Sequence, residues 1–199
     1  MLMKKVLAFA LIAVSLLAAC GEKKGEAPKQ AFQSTDLTGA SFARDFALTD
    51  HNGKPRTMAD FKGKVVVMFF GYTQCPDVCP TTMAEMSEVM KQLGPQSDQV
   101  QVLFVTVDPE RDTQKLLAEY VPVFDKRFLG LYGTPEQTAA VAKEFKVMYN
   151  KVPGSSKDGY TVDHTAASYV FDKQGKLRLL LRSGQGVAPA VHDIKLLLG

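Results

Sequence analysis

Tryptophan is absent from this 199-residue chain, and cysteine and histidine occur only three times each. The missing tryptophan bears on packing and says little about function. Three cysteines are too few for a disulfide framework. Charge of one sign is also scarce: 24 Lys and Arg against 21 Asp and Glu leave a formal charge of +3. No basic block stands out, which argues against nucleic acid as a partner. The apolar run Val6 to Ala19 falls short of the about 20 residues that a membrane span needs. No internal repeat and no second linker divide the chain, so a single domain is expected.

A hydrophobic fraction of 46% is enough to fill the core of such a domain. At the N-terminus, Lys4 and Lys5 precede the apolar run, which ends at Leu17-Ala18-Ala19-Cys20. A positive start, an apolar stretch and small residues before a cut describe a secretory signal. Its last four residues resemble a bacterial lipobox, in which the cysteine becomes the lipidated first residue. Residues 1–19 are therefore read as a lipoprotein signal peptide and Cys20 as the lipidation site. Residues 20–35, polar and nearly free of large apolar side chains, are read as a flexible tether, and 36–199 as the folded domain. The expected location is the bacterial cell envelope, lipid-anchored and facing the periplasm or the exterior. With Cys20 assigned to lipid, one pair remains in an oxidising compartment, Cys75 and Cys79.

The domain opens with a short hairpin, Phe46 to Thr49 and Lys54 to Thr57 around the turn 50–53. Val65 to Phe70 and Val100 to Val107 read as strands buried on both faces. Between them Met83, Met86, Met90 and Leu93 mark a helix ending at Gly94-Pro95. Asp112 to Tyr120 reads as helical, Arg127 to Leu131 as a short strand, and Thr134-Pro-Glu-Gln137 as the start of a helix reaching about Phe145. A loop through Pro153 and Gly154 leads to the strand Ala167 to Phe171, its hairpin partner Lys176 to Leu181, and a last helix opened by Pro189. This order predicts an α/β fold, thioredoxin-like, with a central mixed sheet flanked by helices.

The segment Gly71-Tyr-Thr-Gln-Cys-Pro-Asp-Val-Cys-Pro80 lies where a buried strand meets a helix, the usual place for a site in an open α/β sheet. Spacing of four puts both sulfurs on one face of a helical turn, and the helix N-terminus favours thiolate. An inert disulfide or two buried thiols compete with this reading. Tyr160-Thr-Val-Asp-His-Thr165 precedes the strand Ala167 to Phe171, which in this topology runs antiparallel to Val65 to Phe70. That brings His164 beside Cys75 and Cys79. His51 and His192 are read as solvated. Two sulfurs and one imidazole suit copper; structural zinc normally takes four protein ligands. Asp77, Asp108 or Asp163 are candidates to complete or orient the site. Met83, Met86 and Met90 are read as a core stripe rather than soft ligands.

GYTQCPDVCP, the stretch Val107-Asp-Pro-Glu-Arg-Asp-Thr113 and Val162-Asp-His-Thr165 together resemble the Sco/SenC family, in the same order and over about Phe46 to Leu198. The resemblance implies a membrane-anchored, thioredoxin-like metallochaperone rather than a turnover enzyme. It implies one copper ion per chain, held by Cys75, Cys79 and His164. It also implies delivery to the copper A site of cytochrome c oxidase, so the expected partners are the copper-bearing oxidase subunit and other copper chaperones or thiol reductases. The alternative is a thiol-disulfide reductase in which Cys75 and Cys79 are the redox pair and keep the oxidase cysteines reduced; a peroxide-reducing thiol enzyme is a third reading. Many members use a transmembrane helix, whereas this chain is expected to use lipid. Thioredoxin-like reductases usually carry a proline before the strand facing the cysteines; here Asp163-His-Thr-Ala-Ala167 stands there, which favours metal.

Overall fold

An uninterrupted apolar run such as 65–71 needs side chains packed over both faces and strands on both edges, and the fold supplies all four. The computed structural model describes residues 31–154 and 159–199. From Phe32 onward they form one compact unit. In chain order its elements are β1 (Thr35–Asp36), β2 (Leu48–Asp50), β3 (Pro55–Arg56), β4 (Val65–Gly71), α1 (Val78–Leu93), β5 (Val100–Thr106), α2 (Gln114–Tyr120), β6 (Leu129–Tyr132), α3 (Pro135–Glu144), β7 (Tyr149–Pro153), β8 (Tyr160–His164), β9 (Ala167–Phe171), β10 (Leu177–Arg182) and α4 (Val187–Leu198).

Eight strands form one sheet in the order β1-β10-β9-β4-β5-β6-β2-β3. β4, β5 and β6 are parallel, as their connecting helices require. β9 runs antiparallel to β4 with Ser168 opposite Phe69, so the start of β9 lies at the end of β4. The mixed, helix-flanked sheet expected from the sequence is the one observed. Alternation along β4 sends Phe69 and Phe70 to opposite faces. Phe69 meets Phe104 at 6.1 Å between ring centroids, while Phe70 packs on Phe145, just after α3, at 5.4 Å. Met83, Met86 and Met90 of α1 are all buried, so their spacing marks a core face. Each such side chain contributes about 1.5–3 kcal/mol by leaving water.

Several local features differ from the expectation. The chain before β8 is not a plain loop: Tyr149–Pro153 pairs antiparallel with Tyr160–His164, Tyr149 opposite His164, in a separate two-stranded sheet. The polar side chains of this ribbon, exposed along most of β7, hide it from apolar periodicity. The folded unit begins ahead of residue 36. Phe32 packs on the core, and the amides of Gln33 and Ser34 donate to the carboxylate of buried Asp193 at 2.9 and 2.8 Å. His51 is 8% exposed rather than solvated, because the hairpin turn tucks against β6 and its Nδ1 accepts from the Gly130 amide at 3.0 Å. His192 is half-buried, its Nδ1 2.8 Å from Asp193. The signal segment, Cys20 and the tether up to residue 30 lie outside the described residues. Among the described residues no helix is long and apolar enough to cross a membrane.

Candidate metal centre

The end of β4 can reach the start of α1 only through the short loop Tyr72 to Asp77, and this loop sets both sulfurs. The expected single helical turn carrying both cysteines does not form. α1 begins at Val78, so Cys79 is its second residue while Cys75 remains in the loop. The Cys75 amide donates to the Tyr72 carbonyl at 3.2 Å, a turn that folds the loop back on itself. The Asp77 side chain makes no capping bond; instead the Cys79 amide, unpaired in any helix start, donates to Cys75 Sγ at 3.4 Å. Cys75 is therefore held at the helix N-terminus without belonging to the helix.

Gly71 lets Cys79 sit where it does. A Cβ there would lie 2.9 Å from Cys79 Sγ, 2.8 Å from Phe69 Cε1 and 3.0 Å from Phe104 Cε2. The loop is fixed from below by Asp112, which is buried and accepts from the Thr73 amide at 3.0 Å, Thr73 Oγ1 at 2.6 Å and Thr106 Oγ1 at 2.6 Å. Burial raises this carboxyl above the ordinary carboxylate range despite those bonds.

From the other side β8 delivers His164. Its Nε2 is 3.3 Å from Cys79 Sγ, and its Nδ1 lies 3.2 Å from the Thr165 carbonyl. A carbonyl only accepts, so Nδ1 carries the hydrogen and Nε2 presents its lone pair to the sulfurs. Phe69 and Tyr72 meet the imidazole edge-on at 6.0 and 5.9 Å, which fixes the ring plane. Burial lowers the His164 pKa below its ordinary value and keeps the ring neutral at neutral pH. The same desolvation, reinforced by the Cys75 side chain, pushes the Cys79 thiol strongly up. Here burial outweighs the helix dipole, so the thiolate expected at Cys79 from placement alone is not its resting form.

Cys75 Sγ, Cys79 Sγ and one His164 nitrogen all lie within 4.8 Å of one another. Three donors in a plane around one ion, at metal–sulfur and metal–imidazole bonds of about 2.3 and 2.0 Å, stand about 4 Å apart. The cluster fits one ion after small adjustments. Two soft sulfurs and a neutral imidazole suit copper(I). Both cysteines are free thiols. Cys75 and His164 open onto a cleft of about 440 Å³ also lined by Tyr72, Asp77, Val78 and Val162, while Cys79 is buried behind them. Of the three carboxylates considered, Asp77 and Asp163 are exposed and Asp108 is fully buried, paired with Arg111 and Tyr160. None joins the cluster of donors. The supporting roles of Gly71, Tyr72, Thr73 and Asp112 carry no signal in spacing, because each depends on contacts between segments distant in sequence.

Comparison with known proteins agrees with this geometry. A family model described as SCO1/SenC matches residues 34–199. The mitochondrial protein SCO2 homolog of Bos taurus is 44% identical over 133 residues, 66% of this chain and 50% of that protein. The chain thus spans about half the length of the curated relatives it matches. Among solved structures, Bradyrhizobium japonicum ScoI with copper bound superposes with a TM-score of 0.70 at 42% identity, covering 76% of this chain and 96% of that one. Apo Sco1 from Thermus thermophilus gives a TM-score of 0.73 at 38% identity, covering 85% and 98%. The match of the family model across the whole folded unit establishes that this chain belongs to the SCO1/SenC family.

Proposed function

We propose that this protein binds one copper ion through Cys75 Sγ, Cys79 Sγ and His164 Nε2 and passes it to the copper A site of cytochrome c oxidase. The observation that carries the reading is the convergence of three soft or borderline donors within 4.8 Å at the end of β4, two of them open to a cleft. The copper-bound state of the Bradyrhizobium relative supports the choice of metal. Binding requires loss of the Cys79 proton, which burial otherwise retains. His164 Nε2, 3.3 Å away, is placed to accept a hydrogen bond from that thiol before metal arrives. The amide of Cys79 then remains as a donor to Cys75 sulfur. A client thiolate entering the cleft reaches Cys75 and His164 first, so transfer by stepwise ligand exchange would release the buried Cys79 sulfur last.

Lipid attached at Cys20 would hold the domain at a membrane of the bacterial cell envelope, facing the periplasm or the exterior. The sequence Leu17-Ala18-Ala19-Cys20 supports this, with residues 1–19 removed as signal peptide and a tether leading to the folded unit. A thiol-disulfide reductase would also use an accessible Cys75 and a buried Cys79, with the imidazole as base for the buried thiol; the copper-bound relative is what favours metal. The deciding experiment is a copper titration of the wild-type protein and of His164→Ala. The proposal expects one copper per chain and a sharp loss of affinity in the variant, with thiol oxidation little changed. Equal retention of copper by His164→Ala would remove the imidazole from the site and favour the reductase.

A further inference from the structure

His164 rides on a ribbon that is not part of the main sheet. Among the described residues β7 and β8 pair only with each other, so the position of the imidazole relative to the cysteine loop depends on what ties this ribbon to the body. Buried Val162 and the continuation into β9 supply part of that tie, and Arg111 supplies a polar one. Its Nε is paired with the fully buried Asp108 carboxylate. One terminal nitrogen, Nη1, donates both to the Tyr160 carbonyl of β8 at 2.9 Å and to Gln74 Oε1 of the cysteine loop at 3.2 Å. The guanidinium lies over the Tyr160 ring at 3.6 Å from its centroid and 5.6 Å from that of Tyr72. Tyr160 closes the arrangement by donating its hydroxyl hydrogen to Asp108 Oδ1 at 2.7 Å. Outside this clamp, Lys151 of β7 reaches Glu110 at 2.6 Å, an exposed pair of small weight.

We infer that Arg111, anchored by Asp108 and capped by Tyr160, is a positioning residue that holds β8 against the cysteine loop and so keeps His164 Nε2 in register with the two sulfurs. This rests on the reading of His164 as a copper ligand. The clamp joins three segments, 72–75, 108–112 and 160–164, through the contacts of one planar cation. A lysine keeps the charge opposite Asp108 but lacks the planar fork that reaches Gln74, the Tyr160 carbonyl and the Tyr160 ring together. Arg111→Lys therefore separates the positioning role from neutralisation of the buried carboxylate. Arg111→Ala would not, since it leaves Asp108 buried and unpaired.

The expected outcome for Arg111→Lys is a copper affinity about 10- to 100-fold weaker, the usual effect of removing support from around a metal ligand. In the copper-free protein, amide hydrogen exchange should quicken in residues 160–164 and remain slow in β4 and β5. The decisive arm is a double-mutant cycle with His164→Ala. Because Arg111 acts through the imidazole, Arg111→Lys should cost nothing further in the His164→Ala background. An equal loss in both backgrounds would overturn the inference and assign Arg111 to the cysteines or to general stability. Wild-type affinity in Arg111→Lys would overturn it as well. If Arg111→Lys fails to fold, Tyr160→Phe decides: it keeps the ring under the guanidinium and removes only the hydroxyl bond to Asp108. Weakened binding that vanishes in the His164→Ala background supports the clamp, and unchanged binding refutes it. Wild-type affinity in His164→Ala alone would instead refute the ligand reading, so the two failures are distinguishable.

Discussion

Replacing Gly71 by alanine inserts one methyl group at the point where strand, helix and sulfur come closest. The added carbon would stand 2.9 Å from Cys79 Sγ, 2.8 Å from Phe69 and 3.0 Å from Phe104, where ordinary contact begins at 3.4 Å. None of the three neighbours has free space to retreat into, since Cys79, Phe69 and Phe104 are all fully buried. Overpacking of a filled interior costs about 1–3 kcal/mol. With a urea slope of about 2 kcal/mol per M, the unfolding midpoint should fall by about 0.5–1.5 M. Relieving the contact also moves the sulfur by about half an ångström, more than the roughly 0.2 Å tolerated in metal–ligand distances. Copper affinity should therefore drop in protein that is still folded. Urea unfolding followed by circular dichroism, with a copper titration well below the new midpoint, separates the two effects. A variant with wild-type midpoint and wild-type affinity would show that the strand end yields freely, and the close-approach argument would fail.

Two further predictions concern stability. Met83, fully buried one turn beyond Cys79, should cost about 2–5 kcal/mol as Met83→Ala, while copper stoichiometry measured at low temperature stays at one per chain. Loss of stoichiometry with little loss of stability would instead put Met83 in the site. His51 is held neutral by burial, its pKa lowered from 6.5, with adjacent Asp50 opposing the shift only in part. As pH falls below about 6.5 the unfolded chain takes up the proton first, so stability should decline from there toward the lower folded value and then level. His164 titrates in the same sense, so His51→Gln should remove only part of this decline; an unchanged urea midpoint between pH 7.5 and 5.5 in the wild type would contradict the assignment.

The central sheet was legible because its strands are extreme cases. Val65 to Phe70 is a continuous apolar run, and Ala167 to Phe171 is apolar but for Ser168; segments buried along their whole length are stable only between other strands. The antiparallel pairing of these two segments is what a thioredoxin-like order of elements predicts, and it brings His164 beside the cysteines. What stayed hidden depends on contacts across the fold. Cys75 leaves the helix because its sulfur receives the Cys79 amide, a choice that CxxxC spacing does not announce. The protonation of Cys79 is decided by burial, which a motif does not reveal. β7 is exposed from Asn150 to Pro153 with polar and apolar residues in no alternation, so its pairing with β8 is written in no periodicity. Arg111 sits in a recognised stretch, yet its connection of two distant segments is visible only in three dimensions.

The most direct test of the copper site is X-ray absorption on the full chain loaded anaerobically with copper(I), together with its His164→Ala variant. The account predicts one copper per chain bound by two sulfurs and one nitrogen in the wild type, with the nitrogen contribution lost and binding weakened in the variant. A sulfur-only environment identical in the two proteins, or failure of the wild type to retain copper, would contradict it.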